Sequence, residues 1–495
     1  MFTVFFSGLS FLMTPAALLA VTGGTMLGII FGAMPGINAS MAVVLALPAA
    51  YTMDSVMAMA FLSSVYCAAI TGGGITAILF RVPGTPASAP TTLDGYPMAR
   101  RGQAGRALGY SLAASAMGGI IGAVAMALLC PSLSMVALMF GPSEMAAMYF
   151  LSFSILACLD HKNIIKTLAA GVTGLLIACV GRDLMTGNLR FAWDGPTSVS
   201  EPEVLPILIG LFAVGGVLAQ TGKERKESRK SRPESNGSLG KVFPSVKELW
   251  QLRLPMARSS LIGVLVGILP GAGATSASFL SYAIEKKLSP YPEKLGTGIP
   301  EGIVVSEAAN NGAVGGSVIP LLSLGIPGGN AVALIMAFLM ARDAQIGPGL
   351  HPEYLAGAFG AMLFSNLVMV IIAALVAKSL VRLLLVPYQV VGPVIVVMAF
   401  VSAYGLNHNM MDVVLMMGAG FAGCVMVSRG YSLSALVLGL VLGRMWERNL
   451  RYAYTVAGGN PERIMTRPLT VMLLAVSIVI LLYPVAKLFA SGKKD

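Results

Sequence analysis

Apolar runs of roughly 20 residues recur from one end of this chain to the other, the length an α-helix needs to cross a hydrocarbon core about 30 Å thick. Inside such a core every backbone N–H and C=O must be satisfied by the protein itself, which favours helices. The expected fold is an all-α polytopic membrane protein with about 10–14 membrane segments, some of them half-helices or re-entrant hairpins. Composition agrees. Hydrophobic residues make up 56% of the chain and charged residues 11%, less than half the ~25% of an average soluble domain, so the side chains for a wetted surface are missing. The 57 glycines and 28 prolines are tolerated in membrane helices because neighbouring helices satisfy the freed backbone groups.

The net charge of +11 would suggest nucleic acid as the partner of a soluble protein. Here the charges sit in loops, where positive-inside topology accounts for them, and no nucleic-acid partner is expected. The five cysteines, Cys67, Cys130, Cys158, Cys179 and Cys424, are scattered and read as small hydrophobes. The first apolar stretch has no Lys or Arg before it, unlike a secretory signal, and is expected to stay as a membrane segment.

Loop charge orders the chain. No Lys or Arg precedes Arg81; Arg81, Arg100, Arg101 and Arg106 then face one acid, Asp94. From Lys223 to Arg258 ten basic residues face four acids. Apolar segments near 107–130, 134–158, 163–182 and 203–221 lie between these loops. Four crossings return both basic loops to one side, the cytoplasm. Lys162 and Lys166 then fall inside, while Asp183, Trp193, Asp194 and Glu201 fall outside. Residues 1–221 read as a first transmembrane half, 222–257 as a cytoplasmic basic linker and 258–495 as a second half.

The halves share text. Gly28 to Gly36 and Gly263 to Gly271 both read GxxxGxxPG, 235 residues apart. Downstream, Gly72-Gly73-Gly74 through Pro83-Gly84 resembles Gly315-Gly316-Ser317 through Pro327-Gly328, allowing one inserted residue. The first motif has no basic flank, whereas Arg253, Arg258, Lys286 and Lys287 flank the second. Opposite flanks predict two inverted-topology repeats, the arrangement by which secondary transporters build a midplane site. The second motif segment is either a hairpin entering and leaving on one face or a single kinked spanning helix.

Proline removes an N–H and glycine tolerates unusual dihedrals, so Pro35-Gly36 and Pro270-Gly271 should break their helices. Broken backbone at membrane depth must be buried or line a wet cavity, where helix N-termini can face an anion and free carbonyls a cation. Asn38 and Ser40 follow the first break; Thr275, Ser276 and Ser278 follow the second. With the Pro-Gly pairs they are candidate substrate ligands, although GxxxG and small residues also serve helix packing alone. Glu307, Asn310 and Asn311 stand at i, i+3 and i+4 on one helix face. Asn310 and Asn311 are candidates for substrate and for a coupling ion, Na+ or H+, and Glu307 for the ion. The competing reading puts Glu307 at the cytoplasmic interface. The turn-rich stretch from Pro83 to Pro97 reads as a gate, a hinge or an ordered loop, and Arg81 either as a partner for a substrate carboxylate or, being the first basic residue, as an interface anchor. His161, His351 and His408 form no metal set, and no phosphate loop, HExxH or GxSxG occurs, so neither an enzyme nor a bound cofactor is expected.

At these residues the chain resembles the large membrane subunit of the tripartite tricarboxylate transporters. The matching text is GAMPGINAS, VPGTPASAPTTLDGYPMARRGQAGRALG, GILPGAGATSASFLSYAIEKK and PEGIVVSEAANNGAVGGSVIPLLSLGIPGG. The resemblance implies an ion-gradient-driven carboxylate importer in a bacterial inner membrane. It implies two partners, a small membrane subunit of about four helices and a periplasmic solute-binding protein. Pro35-Gly36-Ile37-Asn38-Ala39 and Arg81-Val82 depart from the family's usual text near the presumed site, which leaves the carboxylate open. A channel for organic anions and a scaffold subunit are the competing readings.

Overall fold

The computed structural model describes residues 2–34, 36–159, 163–183, 185–191, 203–227, 244–383 and 388–491. Pro35, His161, Lys162, Trp193, Asp194, Glu201 and residues 228–243 of the basic linker lie outside the described residues. Before the linker come α1 (Phe2–Leu12), α2 (Pro15–Ala33), α3 (Ala39–Ala50), α4 (Ser55–Phe80), α5 (Thr91–Met98), α6 (Ala104–Leu138), α7 (Pro142–Leu159), α8 (Ile164–Ala178), α9 (Val204–Ile209) and α10 (Gly215–Glu227). After residue 243 come α11 (Val246–Gln251), which lies within the linker, α12 (Arg253–Ile268), α13 (Gly273–Leu288), α14 (Pro300–Leu324), α15 (Asn330–Met340), α16 (Pro352–Leu383), α17 (Tyr388–Asn407), α18 (Met410–Ser428), α19 (Leu433–Val456), α20 (Pro461–Met465) and α21 (Pro468–Ser491). A short antiparallel hairpin, β1 (Gly181–Arg182) with β2 (Leu189–Arg190), is the one sheet among the described residues. Among the described residues, seven helical stretches are long and apolar enough to cross a membrane, and five shorter apolar helices accompany them. The chain is an all-α polytopic membrane protein.

Local chemistry sets the helix ends. Asp54 caps α4 by accepting from the N–H groups of Val56 and Met57 at 3.0 and 2.9 Å. Pro300 opens α14, and Gly325 closes it in the left-handed region at φ 70°. Every residue from Ala58 to Leu79 of α4 and from Gly302 to Ser323 of α14 is buried. These two helices, enclosed on all sides, are the axis of the protein.

The two motifs fold alike. Helix α2 stops at Ala33 and α12 at Ile268, and each following residue, Met34 or Leu269, caps its helix through its own N–H three residues back. Gly36 and Gly271 then take φ of 87° and 76°, which an L side chain resists. Glycines press α2 onto α4 and α12 onto α14: a Cβ on Gly32 would lie 2.1 Å from the Ala69 carbonyl oxygen, and one on Gly267 2.5 Å from that of Ala313. The N–H of Gly84 donates to the Gly73 carbonyl, and that of Gly328 to Ser317, both at 3.2 Å. Gly73 therefore matches Ser317 with no inserted residue, correcting the alignment read from the glycine run alone. Partners are exchanged further out. Helix α6 packs on α14 and α12, while α16 packs on α4 and α2.

Other boundaries differ from the apolar pattern. The stretch from Pro83 to Pro97, read as turn-rich, holds a short 3-10 turn at Pro86–Ser88 and the helix α5. Thr91, Asp94, Gly95 and Met98 are buried on its inner face. Helix α19 runs well past Gly443, the last residue of its apolar text, because Arg444, Glu447, Arg448 and Arg451 continue at helical spacing with the pair Glu447–Arg451 at i, i+4.

Candidate functional site

Glu307 lies in the N-terminal half of α14 with no exposed surface. Its carboxylate is met from three elements. Thr91 Oγ1 of α5 donates to Oε1 at 2.6 Å. Ser115 Oγ of α6 donates to Oε2 at 3.2 Å, and Asn310 Nδ2 of α14 donates to Oε2 at 3.2 Å. Asn310 and Asn311 are also buried. Asn311 Nδ2 donates to Asn310 Oδ1 at 2.8 Å and to the Glu307 carbonyl at 3.1 Å, while Thr71 Oγ1 of α4 donates to Asn311 Oδ1 at 2.8 Å. The three side chains read from the helical spacing thus stand together in one network, buried within the protein.

Gly74 of α4 keeps room for this group: a Cβ there would fall 2.7 Å from Glu307 Oε1. No Lys or Arg pairs with Glu307 among the described residues. A buried carboxylate without a cationic partner is costly, and three neutral donors offset only part of that cost. A proton or a small cation among these oxygens would remove the remainder. The matched positions on α4 are Ser63, Tyr66 and Cys67, so the carboxylate follows one motif only.

Asp94 locks the roof of the site. It is fully buried and accepts the N–H groups of Gly296, Gly298 and Ile299 at 3.0, 2.8 and 3.0 Å, with the Tyr282 hydroxyl at 2.7 Å. Helix α5 is thereby fastened to the segment that leads into α14, which holds Thr91 over Glu307. Arg101 adds contacts to the carbonyls of Thr297 and Gly298. Thr71, Thr91, Asp94 and Ser115 escaped the sequence reading. Their partners are about 190–240 residues away in the chain, and only the tertiary fold pairs them.

The two breaks lie apart from this network. Gly36 packs near Gln220 and Tyr388. Asn38 spends its side-chain oxygen capping α3, accepting from the Met41 N–H at 2.9 Å, and Ser40 is buried in the first turn. Pro270 is buried, and the Gly271 N–H donates to the Gly328 carbonyl at 3.2 Å. Thr275 and Ser276 are half-buried on α13, whereas Ser278 is buried with its hydroxyl unpartnered among the described residues. The turn after Gly84 packs on α13, and α15, which follows Gly328, packs on α3. Each break is thus covered by the segment that follows the other motif. Among the described residues, no break side chain bonds to Glu307. Arg81 caps α4 at φ 59° with its guanidinium 5.8 Å from the Tyr96 ring centroid, so it braces α5.

Residues 18–438 match the family described as the Tripartite tricarboxylate transporter TctA family. The chain is 34% identical over 474 residues, 94% of its own length and 92% of the relative's, to the "Uncharacterized 52.8 kDa protein in TAR-I ttuC' 3'region" of Agrobacterium vitis. It is 36% identical over 220 residues, 44% of this chain and 91% of the relative, to the "Uncharacterized protein in TAR-II ttuC' 3'region" of the same organism. No solved structure matches.

Proposed function

As the chain belongs to the tripartite tricarboxylate transporter TctA family, we propose that it is the ion-gradient-driven permease subunit of a carboxylate importer in a bacterial inner membrane. Substrate is handed to it by a periplasmic solute-binding protein, and a small membrane subunit of a few helices completes the complex. The observation that carries this reading is Glu307, enclosed and held by hydroxyls and amides from α5, α6 and α14. A coupling Na+ or H+ neutralises this carboxylate, and its arrival and departure accompany rearrangement of the elements that supply the donors. Asn310 and Asn311 link the ion to the substrate.

The carboxylate substrate binds at the two breaks. Pro35, Gly36, Asn38 and Ser40 contribute from one side, and Pro270, Gly271, Thr275 and Ser276 from the other. The paired motif geometry supports reading the halves as inverted repeats whose broken helices are hairpins, with helix starts turned toward an anion.

Uptake of radiolabelled carboxylates by proteoliposomes holding this chain and its small partner, with the binding protein outside, tests the proposal. Accumulation driven by a sodium or proton gradient is the expected result. Equilibration indifferent to any gradient would make the protein a channel and overturn the reading.

A further inference from the structure

Beyond Gly443, α19 presents two unlike faces. Arg444, Arg448 and Arg451 recur at i, i+4 and i+7 and line a narrow cleft with Arg182 and Arg190. Trp446, Leu450 and Tyr454 recur at i, i+4 and i+8 and line a mostly apolar, open cavity of about 840 Å³, bordered by residues of α7, α20 and α21. Met185 and Arg451 border both, so the cleft and the cavity adjoin. Neither shares a residue with the network around Glu307.

The cleft is not internally neutral. Arg451 reaches Asp183 at 2.6 Å and Glu447 at 2.9 Å, and Arg190 reaches Glu447 at 2.6 Å. The backbone N–H groups of Met185 and Thr186, and then Arg451, hold the Asp183 carboxyl down at about 2, so it is ionised at neutral pH. The two acids of the cleft are thus matched by Arg190 and Arg451. Arg444 and Arg448 have neither an ion pair nor a hydrogen bond among the described residues. A small carboxylate would match these arginines and leave the cavity unused. An acidic protein surface would do the same. An amphiphile with an anionic head would set its charge against these arginines and its chains in the cavity.

We propose that this cleft and cavity form a binding site for an anionic phospholipid, its phosphate at Arg444 and Arg448 and its acyl chains against Trp446 and Leu450. The site is built where α19 leaves its apolar packing against α8 and turns its charged half to the hairpin of β1 and β2.

Trp446 reports on the cavity directly. In the full chain carrying Trp193→Phe and Trp250→Phe, it is the only tryptophan of the three. Micelles of this protein are titrated with phosphatidylglycerol brominated on its acyl chains, and separately with brominated phosphatidylcholine. Saturable quenching by the anionic lipid at a roughly tenfold or more lower concentration is expected, with the preference abolished by Arg444→Gln together with Arg448→Gln. Equal quenching by the two lipids, meaning mere annular contact, would overturn the proposal. So would an absence of quenching, which would leave the arginines to an acidic protein partner, or a preference that survives the double substitution. The comparison of the two lipids needs no arginine variant, so it stands even if that variant fails to fold.

Discussion

Thr91 Oγ1 donates a 2.6 Å hydrogen bond to Glu307 Oε1 across 216 residues of sequence. This bond ties the segment after the first motif to the helix that follows the second. A hydrogen bond to a charged group is worth about 1.5–3 kcal/mol. Thr91→Val, which keeps the shape and removes a donor that stabilises the bare carboxylate, should therefore strengthen apparent affinity for the coupling ion by roughly tenfold or more. Glu307→Gln should abolish the dependence on the ion gradient with membrane insertion intact, and Asn310→Ala should abolish uptake. Initial uptake rate against ion concentration in proteoliposomes measures all three. Wild-type ion dependence in Thr91→Val and Glu307→Gln would remove this carboxylate from the mechanism.

Asp94 does structural work that can be separated from transport. Its carboxylate accepts three backbone N–H groups and the Tyr282 hydroxyl. Asp94→Asn turns an amide NH2 toward those donors and should cost about 3 kcal/mol or more, whereas Tyr282→Phe removes a single bond and should cost about 1.5–3 kcal/mol. Melting midpoints in detergent should fall in that order. Lys294 is exposed in the clamped loop, so trypsin should cut there faster in Asp94→Asn. Unchanged cutting at Lys294 would show that the loop is held by other means.

The glycine contacts make a paired prediction. A Cβ on Gly32 or Gly267 would sit inside the carbonyl of Ala69 or Ala313, while one on Gly23 would meet nothing within 4 Å. Gly32→Ala and Gly267→Ala should each destabilise the protein by about 1–3 kcal/mol, and Gly23→Ala by almost nothing. Thermal unfolding followed by loss of the monodisperse gel-filtration peak distinguishes them. Equal behaviour of Gly23→Ala and Gly32→Ala would mean that α2 and α4 are not pressed together as described.

Much of the fold was legible because hydrophobic runs and Pro-Gly pairs are local signals. The breaks after Ala33 and Ile268 fall where proline and glycine predict them. The face of Glu307, Asn310 and Asn311 follows from helical spacing alone. Thr91 was not legible as a partner of Glu307, since nothing local distinguishes a buried threonine from one in a loop. The same holds for the stretch from Pro83 to Pro97, whose prolines and glycines suggest turns. Its helix α5 is fixed by Asp94 clamping distant backbone rather than by intrinsic propensity. The end of α19 is hidden from an apolar count for a different reason. An apolar count stops at Gly443, but the arginine face continues the helix outside that count.

The second break should depend on Gly271 more than on Pro270. Proline only withholds an N–H and restricts its neighbour, so Pro270→Ala lifts one obstacle to a continuous helix. The chain is still turned at Gly271 by a φ of 76° and at Gly273 by a φ of 61°, and the Gly271 N–H stays engaged with the Gly328 carbonyl. Gly271→Ala meets both obstacles at once. Its Cβ resists the left-handed φ, at about 1–2 kcal/mol, and would lie 2.2 Å from Leu156 Cδ1. Pro270→Ala should thus retain most of the melting midpoint and a reduced uptake rate, while Gly271→Ala should lose both. Leu156→Ala added to Gly271→Ala relieves the clash alone, so it should recover part of the stability and leave the strain. If Pro270→Ala proved the more damaging of the two, the proline rather than the left-handed glycine would be what keeps the helix open at this site.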